Sequence, residues 1–234
     1  MNNISFVGLG KLGLPLAALF AKNGIITYGI DLNLDVINSI NNGKSPIIEK
    51  DLDQLILEVG GKTLVATDDY ENAIPNSNVT YILTGTPSKP DGSFSNKQIE
   101  SALTSVSKAL KKSNKSEHNF VISSTVMPGS IVESFIPLIE KHSGRYLNDG
   151  FNIAYCPDFV AIGEVIKGFR NPEFLLIGAS NKKVGELVEK IHSKIINVNS
   201  QIFRMSLSSS EIAKVSLNAY ITMKISFANN LANI

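Results

Sequence analysis

The sequence has no tryptophan, one cysteine, three histidines and only 18% charged residues, and each shortage excludes something. A single cysteine cannot close an internal disulfide, which excludes the small secreted scaffolds stapled by several bridges. His118, His142 and His192 are far apart and none has a Cys or His neighbour at metal-ligand spacing, so no zinc site is expected. With 22 Lys and Arg against 21 Asp and Glu, the formal net charge is +1. There is no basic surplus for a phosphate backbone and no acidic tail, so a nucleic-acid partner is not expected. No apolar run reaches the roughly 18–20 residues that a bilayer span requires. The apolar start, residues 4–21, is broken by Gly8, Gly10, Lys11, Gly13 and Pro15 and follows no basic segment, unlike a signal peptide. The chain therefore reads as cytoplasmic and without a membrane partner.

What is present is 234 residues with 43% hydrophobic content, enough for one full core and the start of a second. Short β-branched runs alternate with segments of helical period, the pattern of βαβ units around a parallel sheet. Strands are expected at 3–7, 25–30, 64–67, 79–83, 119–123, 152–155, 174–177 and 201–204. Helices are expected at 11–22, 34–41, 52–59, 97–112, 130–141, 162–169 and 182–194. The fold class is α/β, a doubly wound, mostly parallel sheet followed by a long C-terminal helix. That helix opens at Ser208-Ser209-Ser210-Glu211, which has the form of a capping box, and keeps its apolar period to the last residue. A chain that stops inside an amphipathic helix reads as cut rather than finished, and its apolar stripe predicts self-association.

The strongest local signal is Gly8-Leu9-Gly10-Lys11-Leu12-Gly13, directly after an expected strand and opening an expected helix. Gly8 permits the tight turn, Gly10 lets the backbone approach a pyrophosphate, and Gly13 allows close contact of helix and strand. A second strand ends at Asp31, where a carboxylate would accept from an adenosine ribose 2′-OH and repel a 2′-phosphate. This favours NAD over NADP. The competing reading is a plain tight turn, with Asp31 capping the next helix. Ser123-Ser124-Thr125 closes another strand, where hydroxyls can touch a cofactor or substrate, although an N-cap role for Ser130 or its neighbours is equally open. The turn-rich loop 85–96 is either a ligand-handling segment or a solvated connection.

In order along the chain, GLGKLGLPLA at 8–17, YGIDLN at 28–33, GKSPIIEKDL at 43–52, TGTPSKPDGSF at 84–94, SSTVMPGS at 123–130, YCPDFVAIGEVIKGFRNPEFLLIG at 155–178 and SEIAKVSLNAYITMKISFANNLANI at 210–234 resemble the nucleotide-sugar 6-dehydrogenases. That family contains the UDP-glucose, UDP-N-acetylmannosamine and GDP-mannose dehydrogenases of polysaccharide biosynthesis. The resemblance implies a Rossmann-type NAD domain, a long central helix that builds a homodimer, and a second domain for the nucleotide of a UDP- or GDP-sugar. It implies a four-electron oxidation of the sugar C6 alcohol to the carboxylate with two NAD. A cysteine in a glycine-rich loop of the second domain holds the aldehyde as a thiohemiacetal and then a thioester.

On this resemblance residues 1–205 form the NAD domain, and 206–234 start the central helix domain. Gly8, Gly10, Lys11, Leu12, Gly13, Asp31, Thr86, Pro87 and Thr125 fall at the cofactor. Lys214 and Asn218 match the lysine and asparagine that stabilise the developing oxyanion, and a spacing of i, i+4 puts both on one helix face. Thr125 matches the threonine that orients water or substrate. Without the resemblance, Lys214 would be read as a solvated or snorkelling lysine. Two positions depart from the family. Asp158 stands where it has glutamate, one methylene longer, and Ile162 stands where it has a second carboxylate. Cys156 lies beside Pro157 at a strand end, with no histidine or basic neighbour evident, and reads as a small core or cleft-lining residue. The chain ends before the cysteine loop of the second domain, so alone it is expected to bind NAD without completing the oxidation. The rivals are a non-catalytic NAD-binding, dimerising module and a related hydroxyacid dehydrogenase.

Overall fold

A computed structural model of the chain describes residues 3–232. The elements run β1 (Ile4–Val7), α1 (Gly13–Lys22), β2 (Thr27–Ile30), α2 (Leu34–Asn41), α3 (Leu52–Val59), β3 (Leu64–Thr67), α4 (Tyr70–Ala73), β4 (Val79–Ile82) and α5 (Lys97–Lys112). They continue with β5 (His118–Ile122), a π-helical turn (Ser130–Phe135) leading into α6 (Ile136–Ser143), β6 (Tyr146–Leu147), β7 (Gly150–Tyr155), α7 (Val165–Arg170), β8 (Phe174–Ala179), α8 (Lys182–His192), β9 (Gln201–Met205) and α9 (Leu207–Leu231).

The strands form one sheet in the order β3-β2-β1-β4-β5-β7-β8-β9, with β6 paired to β7. Neighbours are parallel except β7 and β8. Helices cover both faces, so β1 and β4 are buried at every residue and read as unbroken apolar runs rather than alternating ones. One core layer lies under α1, α3, α7 and α8, where Phe6 stacks on Tyr81 at 4.9 Å and Phe20 closes on both. The other lies under α5 and α6 and is built on Leu103, Val106, Phe120, Phe135 and Phe151. The strand order reverses between β1 and β4, and a doubly wound sheet opens its ligand crevice at that point, at the carboxyl ends.

The expected elements are present, with shifts that have local causes. The first helix begins at Gly13 rather than residue 11, because the backbone before it is spent on the glycine turn. The expected helix 130–141 is π-helical in its first turns. Pro137 has no N–H to give back to the turn before it, and a wider turn absorbs the defect. The helix expected from 162 begins at Val165. α4 is a single turn, too short to carry a period, and its signal is Asp69, which caps the N–H groups of Glu71 and Asn72. The capping box at Ser208 is corrected. Ser206 is the N-cap and accepts from Ser209 N at 3.1 Å, which puts Ser208 inside the helix and frees Glu211 for another task.

α9 lies on β8 at Gly178. A Cβ there would meet Ser210 Oγ at 1.9 Å and Leu207 Cα at 3.2 Å, so only glycine admits the helix this close. Beyond Lys214 the helix leaves the sheet; Tyr220, Met223, Phe227 and Leu231 share one exposed face, and Ile221 and Ile225 are exposed on the opposite one, so the apolar residues are not confined to the single stripe expected. Among the described residues no helix is long and apolar enough to cross a membrane.

Candidate active site

The carboxyl ends of β1, β2, β4, β5 and β7 lie along one edge, and the loops leaving them hold the candidate groups. The loop after β1 is fixed by contacts only glycine allows. Gly8 has φ +99°, and a Cβ on it would meet Leu83 O at 2.5 Å. A Cβ on Gly13 would meet Gly8 O at 2.0 Å. Gly10 differs, since a Cβ there would meet no protein atom within 4 Å, yet the residue lines the cleft. That space suits a ligand.

The cleft has a volume of 590 Å³ and is bounded by Gly8, Gly10, Asp31, Thr84 and Gly85, with the first turns of α5 opposite. Asp31 has two structural bonds, Oδ2 accepting from Leu9 N at 2.9 Å and Oδ1 from Asn33 N at 3.0 Å. Each oxygen keeps a lone pair for a ribose hydroxyl. α2 is capped by the Asn33 side chain, so the alternative of Asp31 as that cap does not hold.

The groups present fit a dinucleotide. The N-terminus of α1 has no side-chain cap and no acidic residue in its first turn, which leaves its N–H groups and positive dipole end for a pyrophosphate. Thr84 Oγ1, on the cleft wall, is buried with no partner among the described residues. Lys11 is exposed and Leu12 is half-buried at the N-cap position of α1, while Thr86 and Pro87 follow the wall residues Thr84 and Gly85. Sequence reasoning missed Lys97, Gln98 and Ser101 on the far wall. Their signal was the start of α5 directly after the crevice loop, but nothing in their residue types marks a nucleotide.

At the ends of β5 and β7 a second set converges. Ser124 Oγ donates to Thr84 O at 2.7 Å and ties the loop of Thr125, itself half-buried, to the cleft wall. The far end of that loop is held by Glu211, whose carboxylate accepts from Gly129 N at 2.8 Å and Ile131 N at 2.9 Å. Gly129, with φ +90°, occupies the N-cap position there, and Ser130 Oγ instead accepts from Asn96 Nδ2. One turn along α9, Lys214 is 6% exposed, so the solvated reading of it fails. Its Nζ donates to the main-chain oxygen of Asp158 at 2.5 Å and lies 4.2 Å from the Phe159 ring centre. Asn218 follows on the same side of the helix, in its exposed part.

The Asp158 carboxyl is half-buried, with Oδ2 shut off from solvent and unpartnered among the described residues. Burial pushes its pKa up to about 7, against the pull of the Lys214 charge. Burial likewise holds the Lys214 ammonium below its usual value, against the pull of Asp158. Ile162 is exposed and Glu164 pairs with Lys167, so neither adds a carboxylate here. Cys156 does have a histidine neighbour, contrary to expectation, since Sγ lies 3.7 Å from His192 Nε2. The contact does not activate it. Burial raises the thiol pKa, and His192, held at about 4 by its own burial, is neutral. Among the described residues no cluster of His, Cys, Asp and Glu could hold a metal ion.

A glycine turn, a carboxylate on the cleft wall at the end of β2 and an uncapped helix on a doubly wound sheet define a dinucleotide-binding domain. A family model described as the NAD binding domain of the UDP-glucose/GDP-mannose dehydrogenase family matches residues 2–196. The chain belongs to that family, and its cofactor is NAD. It is 33% identical over 233 residues to the UDP-glucose 6-dehydrogenase AglM of Haloferax volcanii, covering 99% of this chain and 54% of that one. It is 34% identical over 233 residues to the GDP-mannose 6-dehydrogenase of Pseudomonas aeruginosa, covering 99% and 52%. A ternary complex of GDP-mannose dehydrogenase from Pseudomonas aeruginosa superposes with a TM-score of 0.92 at 32% identity, over 97% of this chain and 51% of that one. The chain spans about half the length of the curated relatives it matches.

Proposed function

We propose that this chain holds NAD and supplies proton-handling side chains for oxidation of the C6 alcohol of a UDP- or GDP-sugar to the carboxylate. The observation that carries this reading is the shared edge: the NAD cleft of Gly8, Gly10 and Asp31 opens on the same side of the sheet as Asp158 and Lys214. Residues 1–205 form the cofactor domain, and the segment from 206 begins the central helix. Bound in this cleft, NAD would supply the hydride acceptor for the carbon being oxidised. Gly8, Gly10, Gly13 and Asp31 fix its pyrophosphate and ribose, with Lys11, Leu12, Thr86, Pro87 and Thr125 on the adjoining segments.

Lys214 is a cation kept largely from water, so it stabilises negative charge on a substrate oxygen more strongly than a solvated lysine could. Asn218 adds a neutral donor one turn on, and Thr125 orients water or the substrate hydroxyl. Asp158, with a pKa near neutrality, gives and takes a proton at small cost, as a general acid or base must. The exposed apolar face of α9 is covered by a second copy, forming a homodimer.

The 234-residue chain binds NAD by itself and does not complete the oxidation, because its one cysteine, Cys156, is an inert core thiol. Calorimetric titration should show saturable NAD binding, and mixing with UDP-glucose or GDP-mannose should give no steady NADH. Steady NADH production overturns the second statement, and absent NAD binding overturns the first. A non-catalytic NAD-binding module is the second reading, favoured by the exposed Ile162 where the family pattern calls for a carboxylate. It leaves the burial of Lys214 against Asp158 without a purpose.

A further inference from the structure

The segment that carries Asp158 hangs between two anchors. At one end Cys156 N donates to Ile122 O at 2.8 Å, the last tie to the sheet. At the other end the tie comes from Glu49, more than a hundred residues earlier, in the connection between α2 and α3. Glu49 is 8% exposed, and its Oε2 accepts from Gly163 N and its Oε1 from Val165 N, both at 3.0 Å. Among the described residues no lysine or arginine forms an ion pair with it. A carboxylate taken out of water without a counter-ion stays in place only through its hydrogen bonds, so these two backbone groups are what it is there for. Gly163 has φ +96°, which turns its N–H towards the carboxylate at a backbone angle that other residues rarely adopt.

The clamp sets the start of α7, and α7 sets the segment. A Cβ on Gly168 of α7 would come within 2.7 Å of Val160 Cγ1, so this side chain rests directly on the helix backbone. Phe159, the next residue back, lies under Lys214, and the Asp158 oxygen receives the Lys214 Nζ. Each link from Glu49 to Asp158 is thus a specific contact rather than general packing.

We propose that Glu49 is a positioning residue: by clamping Gly163 and Val165 it holds the Asp158 carboxyl, with its Oδ2 turned away from solvent, beside Lys214. This role in turnover rests on the function proposed above for Asp158, whereas the clamp itself does not. Glu49 does not line the NAD cleft, so its replacement separates the two.

The test uses the 234-residue chain labelled for carboxyl and amide NMR. In Glu49→Gln, one acceptor becomes a donor facing an N–H, the segment loosens, and Asp158 meets water. Its titration midpoint should fall from near 7 toward the ordinary carboxylate range, with NAD affinity unchanged within about twofold. An unmoved Asp158 midpoint in a folded variant overturns the proposal. If the variant does not fold, amide exchange in the unsubstituted protein decides. Gly163 and Val165 should exchange at least about tenfold more slowly than the neighbouring exposed Ile162, and equal rates overturn the clamp. Failure of the unsubstituted chain to bind NAD would instead count against the proposed function.

Discussion

Lys214 donates a hydrogen bond to the main-chain oxygen of Asp158 while the carboxyl Oδ2 of the same residue has no partner among the described residues. The cation therefore steadies the segment without fully compensating the acid, and burial dominates the acid's titration. The folded-state pKa, about 7, lies above the ordinary value of 3.8, so the folded chain binds the Asp158 proton more tightly than the unfolded one. Stability from this group is full below the ordinary value and is lost as pH rises through about 7. Asp158→Asn removes the effect. Urea unfolding at a series of pH values should show the variant gaining on the unsubstituted protein as pH rises toward neutrality. Parallel pH curves for the two would sink this assignment.

Gly10 and Gly13 make opposite predictions although they stand three residues apart. Gly13→Ala drives a Cβ to 2.0 Å from Gly8 O, a backbone atom that cannot swing aside, and should cost at least about 1–3 kcal/mol of stability. Gly10→Ala meets no protein atom and should leave stability within about 0.5 kcal/mol. Its methyl instead enters the cleft, so NAD affinity should drop by about tenfold or more, a loss of about 1.4 kcal/mol. Thermal melting and NAD titration of the two variants read these effects separately. A stable Gly10→Ala protein with undiminished affinity would mean that NAD does not cross this turn.

Cys156 offers a check on whether proximity to histidine creates reactivity. The pair is fully buried, the imidazole is neutral, and Phe20 packs edge-on against the His192 ring at 5.5 Å between centres. A disulfide reagent should leave the folded protein unmodified and label it in full once denatured. Cys156→Ala should bind NAD as the unsubstituted chain does. Rapid labelling of the folded chain at neutral pH would show that the thiol is exposed and ionised, contrary to its burial.

The fold and the glycine turn beside the cleft were legible because their signals are local. Gly8, Gly10 and Gly13 obey sterics within one turn, Asp31 ends the strand beside it, and the apolar runs of β1 and β4 need only helices on both faces. Partnerships across the chain were not. Glu211 looked like part of a capping box, since four consecutive residues fit the pattern, whereas its true partners, Gly129 and Ile131, lie about eighty residues earlier. The approach of His192 to Cys156 depends on how α8 packs on β7, and no spacing encodes that. Lys97, Gln98 and Ser101 reach the cleft only because α5 runs past it, and their residue types are those of any exposed helix.

Glu211 is also where helix and loop can be uncoupled. Its side chain is buried, burial raises its pKa, and the bonds from the Ile131 and Gly129 N–H groups oppose that rise. Glu211→Ala leaves both N–H groups without an acceptor, at about 1–3 kcal/mol each before any relaxation. Glu211→Gln keeps one amide oxygen and the same volume, so its loss should be about half as large. The graded order, unsubstituted above Gln above Ala in urea midpoint, separates a hydrogen-bonding role from one of filling space, because Gln fills the site as well as Glu does. If Gln proved as stable as Glu, the carboxylate charge and its second bond would contribute nothing, and one amide acceptor would hold this end of the Thr125 loop as well as the carboxylate does.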